Sequence, residues 1–242
     1  VKAEYVDHMG SDDSVANAAR VSFDKLASMF TPEENAGLIR FLARGGSTQK
    51  WRELIDSIRC CDDPEIIEEI LLEVKRMPEH WNPFAHTAIT LRMGAPVPIR
   101  TQCSKHKQGL VENEESRRYI SSRPELYVPD HFRRKAANAK QGSGGVHPDS
   151  DLWLNVYRMQ CEVAIAVYER MIANEVCPEQ ARFILPQGVE VNWIWTGNLF
   201  AFANFFNKRT DSHAQKEIQE LAHEAGRIIE PLFPVSWAAL TR

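Results

Sequence analysis

The sequence predicts an α+β protein in which helices dominate. Two observations carry that class. Apolar residues recur at helical spacing over several long stretches, and two shorter stretches, 86–97 and 189–197, alternate apolar and polar residues as half-buried strands do. No internal repeat is evident, so a solenoid or propeller is excluded. Apolar residues at 43% and charged residues at 26% suit a folded core rather than a disordered chain. At 242 residues the chain suits one large domain or two small ones.

Each element has its own signals. Residues 12–23, "DDSVANAARVSF", read as a short helix with acids at its positive end. Residues 31–46 form a clearer one: Thr31 caps it, Pro32 suits the first turn, Glu33 and Glu34 favour the start, and Gly45 stops it. Two amphipathic helices follow at 49–59 and 64–76, split by "CCDDP". In 86–97, Ile89, Leu91 and Met93 alternate with Thr90 and Arg92. "ELYVPD" (125–130) is extended, and 131–151 is basic and then rich in Gly and Ser, as a surface loop is. A long helix spans 151–176, with Leu152, Val156, Met159, Val163, Val167 and Met171 on one stripe that faces a core or a subunit. A short helix at 178–186, a strand at 189–197 and helices at 198–209 and 212–233 complete the chain, the last with Ser212 and Gln215 at capping-box spacing.

Bulk properties narrow the function. The net charge of −4 argues against bulk nucleic-acid binding, and no run of eighteen apolar residues predicts a membrane span. The start, "VKAEYVDHMG", lacks the apolar core of a secretory signal, and its missing initiator Met points to a few lost residues. Cys60, Cys61, Cys103, Cys161 and Cys177 follow no disulfide or zinc spacing and read as reduced thiols in the cytoplasm. Phosphate-binding glycine loops and zinc motifs are missing from the sequence, and His80 and His86 read as structural rather than metal-binding.

Opposed charge is concentrated in "SKHKQGLVENEESRRY" (104–119). Lys105 and Lys107 can neutralise phosphate, and Arg117 or Arg118 can grip phosphate or carboxylate with two N–H groups. Asn113 and Glu114 suit ribose hydroxyls or a base edge, and Ser116 suits hydrogen bonding. A solvated loop is the alternative reading. Downstream, Arg209 lies three residues before a helix cap and His213 inside the first turn, an arrangement that attracts anions. Arg182 sits in an otherwise apolar helix, "ARFILP". A basic run, 133–140, is either a solvated surface or an attractor for a cofactor phosphate or an acidic tail.

Taken together, these segments resemble the flavin-dependent thymidylate synthase family. That family's signature is Arg-His-Arg, a spacer, then Asn-Glu-x-Ser-x-Arg. Here it reads Lys105-His106-Lys107, then Asn113-Glu114-Glu115-Ser116-Arg117-Arg118. "ARVSFD" (19–24), "HWNPFAH" (80–86), "ARFILP" (181–186) and "TGNLFAFANFFNKRTDSHAQKEIQ" (196–219) agree in order and spacing.

The resemblance implies a single α+β catalytic domain over 1–242, helices packed around a mixed, mainly antiparallel sheet, with an insertion near 46–78 and a mobile loop near 138–150. It implies methylation of dUMP to dTMP, with methylenetetrahydrofolate giving the carbon and NADPH the hydride through FAD. The family's members are homotetramers with shared active sites.

By position, Arg209 matches the arginine that activates the uracil. Gln102, Lys105, Glu114, Glu115, Ser116, Arg117, Arg118 and Arg182 match nucleotide positions. Asn82, Lys105, His106, Lys107, Glu114, Asn198, Asn204 and His213 match flavin positions. Lysines replace the outer arginines of the triplet, Phe200 stands where some members have Arg, and Ala85 where some have Glu. These departures bear on flavin affinity and on specificity, which leaves another pyrimidine nucleotide, or a hydroxymethyl product, as an alternative.

Overall fold

Alternation in the sequence becomes burial in the structure: Ile89, Leu91, Met93 and Ala95 are buried along one strand, and Val191, Trp193 and Trp195 along another. The computed structural model describes residues 1–77, 79–136 and 142–241. In chain order its elements begin β1 (Lys2–Met9), α1 (Asp12–Arg20), α2 (Pro32–Arg44), α3 (Thr48–Arg59) and α4 (Pro64–Arg76). Next come β2 (Ala88–Pro96), α5 (Val97–Cys103), β3 (Leu110–Glu114), β4 (Arg133–Lys135) and β5 (Ser143–Val146). Then follow α6 (Ser150–Ala173), α7 (Pro178–Ala181), β6 (Glu190–Gly197), α8 (Leu199–Arg209), α9 (Lys216–Ile229) and α10 (Pro234–Thr241). The class is α+β, as the sequence predicts.

Contacts divide the chain into two compact units. The first comprises Val1–Val6, Thr90–Thr196 and Phe205–Gly226. It carries a four-stranded sheet in the order β1-β2-β6-β3. Thr90 meets Thr196 and Val97 N–H donates to Val189, so residue numbers run oppositely and β2 and β6 are antiparallel. A hairpin-like pair, β4 with β5, sets Arg133 opposite Val146. Gly188, before β6, allows a close approach: a Cβ there would lie 1.8 Å from the Tyr157 hydroxyl, which donates to the Tyr127 carbonyl at 2.6 Å.

The second unit comprises Asp7–Ile89, Gly197–Asn204 and Arg227–Arg242. Here α10 packs on α2 and α1 around Val15, Ile39, Leu42 and Trp237. Thr31 caps α2 through Glu34 N–H, and Gly45 closes it with φ of 67°. Asp12 accepts hydrogen bonds from Val235 and Ser236 N–H, a carboxylate at the positive start of α10. Buried Thr87 donates to Phe84 O and accepts from Leu199 N–H, which satisfies two main-chain groups at once.

Several elements differ from the sequence reading. The chain from 131 to 151 is not all loop: it forms β4, β5 and the start of α6, while 137–141, inside the expected mobile loop, lie outside the described residues. The helix expected at 212–233 starts only at Lys216. Ser212 does not cap it; instead Asp211 accepts from His213 N–H in a local turn. On α6 the buried residues are Ser150, Leu154, Cys161, Ile165 and Tyr168, whereas Leu152, Met159 and Val163 are each more than half exposed (57, 56 and 57%). That helix is apolar on more than one face, so periodicity alone does not choose which face is covered. The expected insertion, 46–78, holds α3 and α4.

Candidate functional site

Within 104–119 one ion pair forms, Lys107 with Glu112, while Glu114 and Arg118 pair outside the stretch with Arg100 and Glu179. On α5, Arg100 is buried, and its Nε donates to Glu114 Oε2 at 2.5 Å while NH2 lies 3.5 Å from Glu112 Oε1. Lys107 reaches the same Glu112 oxygen at 2.5 Å, and the Arg100 guanidinium lies 4.8 Å from the Trp193 ring centroid. Burial pushes the Glu112 carboxyl up, but the Lys107 hydrogen bond and Arg100 charge hold it below its ordinary value. Sequence reasoning missed Arg100. It lies past the strand expected at 86–97, where no local pattern marks a buried ion pair.

A groove of about 540 Å³ opens beside this network in the first unit. Glu114, Glu115, Ser116, Arg117 and Arg182 line it, five of the predicted nucleotide residues. Asn192 donates to Glu115 at 3.2 Å, and Arg117 NH1 donates to Ser122 O. Arg117 Nε is buried without a partner among the described residues, a donor left for something in the groove. Arg118 is anchored by Glu179 at 2.6 Å, and Arg182 Nε bonds the same residue's carbonyl at 3.3 Å. The floor thus holds arginines, carboxylates and a hydroxyl in one concavity, a donor set suited to a phosphorylated, hydroxyl-bearing ligand.

Arg209 ends α8, where two bonds hold its guanidinium. Its Nε donates to His106 Nε2 at 2.9 Å and NH2 donates to Gln102 O at 3.1 Å. Gln102 in turn donates to Gln215 at 2.8 Å. Burial, then the charges of Arg209 and Lys208, pushes His106 down to about 4, so the ring is neutral and accepts. Phe205 presses its ring against His106 edge-on, centroids 5.1 Å apart. Arg209's remaining N–H groups have no partner among the described residues. Lys105 is exposed without an ion-pair partner among them, and Lys107 is tied to Glu112. His213 is exposed and bonds Asp211 at 3.0 Å.

Cys103, close to this cluster in sequence, is fully buried, and burial pushes its thiol up to about 12. It is no thiolate nucleophile. Among the described residues, no group of His, Cys, Asp and Glu is arranged to hold a metal, and no helix is long and apolar enough to cross a membrane.

The second unit has its own concavity, a groove of about 620 Å³ lined by Ser22, Phe23, Phe41, His80, Trp81 and Asn82. Phe23 and Trp81 expose much of their rings, and Asn82 Oδ1 lies 3.3 Å from His86 Nε2. Phe200 of α8 packs against Trp81, ring centroids 6.2 Å apart. Asn198 caps α8 by accepting from Ala201 N–H at 2.9 Å, and Asn204 lies half-buried on the same helix. In this groove, exposed aromatic rings beside the Asn82 carboxamide fit a planar, hydrogen-bonding cofactor such as a flavin.

Comparison with known proteins agrees over the whole chain. The family model described as thymidylate synthase complementing protein matches residues 4–235. A flavin-dependent thymidylate synthase of Thermosipho africanus is 30% identical over 239 residues, 98% of this chain and 89% of that one. A counterpart in Thermus thermophilus is 28% identical over 97% of this chain and 73% of its own. Among solved structures, a UMP/dUMP methylase, PolB from Streptomyces cacaoi bound with 5-Br dUMP, superposes with a TM-score of 0.75 at 27% identity, covering 99% of this chain and 94% of that one. The same methylase bound with 5-Br UMP gives 0.74.

Proposed function

Because the chain belongs to the thymidylate synthase complementing protein family, the flavin-dependent thymidylate synthases, we propose that it methylates dUMP to dTMP, with methylenetetrahydrofolate as carbon donor and NADPH as reductant. One observation supports this reading above the rest: a permanent guanidinium, Arg209, held by a neutral imidazole and a carbonyl with further donors free. A fixed cation at the uracil lowers the N3 pKa and raises electron density at C5. Each unit of such a shift is about 1.4 kcal/mol. His106 keeps the cation in place because, as a neutral acceptor, it adds no opposing charge.

In this reading Arg117, Arg118 and Arg182 hold the phosphate, aided by Lys105, while Gln102, Glu114, Glu115 and Ser116 serve the sugar and base. Asn82, Asn198, Asn204, Lys105, His106, Lys107, Glu114 and His213 match the family's flavin positions and would hold FAD, which would supply the reducing equivalents when bound. Lys105 and Lys107 keep the charge of arginines but lose the planar fork, and Lys107 is partly neutralised by Glu112. No protein nucleophile is required, which accords with the buried Cys103 thiol. Homotetramer formation has support in the uncovered apolar face of α6, which a second subunit would bury. A cytoplasmic setting accords with five unbridged cysteines, and the whole of 1–242 serves one catalytic function.

The test is direct. Purified, FAD-loaded protein given dUMP, methylenetetrahydrofolate and deuterated NADPH should yield dTMP by mass spectrometry; no product at any protein concentration would refute the reading. A second reading, methylation of UMP, is favoured by the likeness to the UMP/dUMP methylase. Parallel assays with UMP and dUMP decide between them, and product mass separates methyl from hydroxymethyl.

A further inference from the structure

The basic run at 133–140 begins with a side chain that is no part of a solvated surface. Arg133, on β4, is mostly buried, and its NH2 donates to both oxygens of buried Glu217 at 2.8 and 2.9 Å. Glu217 stands in the first turn of α9, where its own N–H and the Gln215 side chain also donate to it. Burial works against the charge, but these hydrogen bonds hold the carboxyl below its ordinary value. The carboxylate is therefore occupied by the protein itself. Such a pair is costly to bury for stability alone, and apolar residues of similar volume often serve as well.

What the pair does hold is the sense of a chain of hydrogen bonds. A carboxylate only accepts, so Gln215 must turn its amide N–H toward Glu217 and its oxygen away. That oxygen accepts from Gln102 Nε2 at 2.8 Å, and the Gln102 main-chain oxygen accepts from Arg209 NH2 at 3.1 Å. Arg209 ends α8 and Gln215 directly precedes α9, so Gln102 on α5 clasps both ends of the connection between those helices. All of these residues belong to the first unit. Without the charge on Glu217 the Gln215 amide is free to turn over, and the clasp loses one of its two holds.

We infer that Arg133 and Glu217 are positioning residues for Arg209, acting through Gln215 and Gln102 to fix where its guanidinium stands. The inference rests on the role proposed for Arg209 above. Neither member of the pair touches the nucleotide in that reading; together they set the orientation of the group that does.

A double-mutant cycle on FAD-loaded protein tests the relay in the dUMP assay. Glu217→Gln removes the charge that sets the amide sense. Gln215→Ala cuts the chain at an exposed residue and leaves the ion pair intact, so it serves if the first variant misfolds. Each should lower kcat/KM for dUMP about tenfold in the wild type but less than about twofold in Arg209→Ala, because the relay then has nothing to hold. Equal losses in the two backgrounds, or no loss in Gln215→Ala, would overturn the inference. Proton NMR of the His106 ring gives a readout that needs no turnover. Burial, then the Arg209 charge, depresses the His106 pKa, so releasing Arg209 in either variant should raise it by about half a unit or more. An unmoved His106 titration in folded Gln215→Ala would sink the relay. A wild-type chain that makes no dTMP, with the His106 shift seen in the variants, would sink the reaction and leave the relay standing.

Discussion

Arg209 and His106 are joined by a single hydrogen bond, Nε to Nε2 at 2.9 Å, across more than a hundred residues of chain. The bond requires a neutral ring, since an imidazolium has no lone pair to offer and repels the guanidinium. Replacing Arg209 by Ala should lower kcat/KM for dUMP about 10³-fold, and Arg209→Lys about 10²-fold, with flavin absorbance retained. Loss of flavin in step with activity would instead assign Arg209 to the cofactor.

His106 titrates near 4 in the folded chain, below its ordinary 6.5. The unfolded chain therefore takes up this proton first as pH falls, so the contribution to stability is complete above about 6.5 and is lost on descending to about 4. Thermal melts of the wild type and His106→Gln should converge across that window, because Gln keeps an acceptor without titrating. Parallel pH curves for the two would show that His106 carries no such linkage.

Arg182→Ala should raise KM for dUMP about tenfold or more with kcat far less affected, since it removes a cation from the groove rather than from the ring. Steady-state kinetics separate the two parameters. A fall in kcat alone would move Arg182 out of the nucleotide site.

Gly188→Ala places a methyl within 1.8 Å of the present Tyr157 hydroxyl position. Either the ring or the strand must shift, and the Tyr157–Tyr127 bond is lost. We expect destabilisation of about 1–3 kcal/mol by chemical denaturation. Gly188→Ala combined with Tyr157→Phe should recover part of it, because the clashing oxygen is gone.

Charge placed on the uncovered side of α6 tests assembly. Met159→Asp with Val163→Asp should leave the fold intact, because both side chains already face solvent in the chain, yet should reduce the sedimenting mass. Unchanged mass and activity would show that another face carries the contact between subunits.

What was readable in the sequence follows from where apolar contrast is strong. Ile89, Leu91 and Met93 announced β2, and Thr31 with Gly45 bounded α2, because burial and capping leave direct marks. β1 left none: nearly all of "KAEYVDHM" is exposed or half-exposed, so its residues do not alternate. β3 carries Glu112, Asn113 and Glu114, whose charges find partners only in three dimensions. The groove residues Glu114 to Arg117 were legible as a cluster, but Arg100, which pairs with Glu114, stood past the expected strand with no local pattern to mark it. The pairing of Arg133 with Glu217 joins positions 84 apart and has no local signature at all.

The sealed Cys103 thiol has a pharmacological consequence. Iodoacetamide should consume exposed Cys60 and Cys177 while turnover persists, because the sulfur nearest the charged cluster resists ionisation. Covalent warheads aimed at a catalytic sulfur find no target there. An effective inhibitor must instead mimic an anionic ring and win by reversible contact with Arg209.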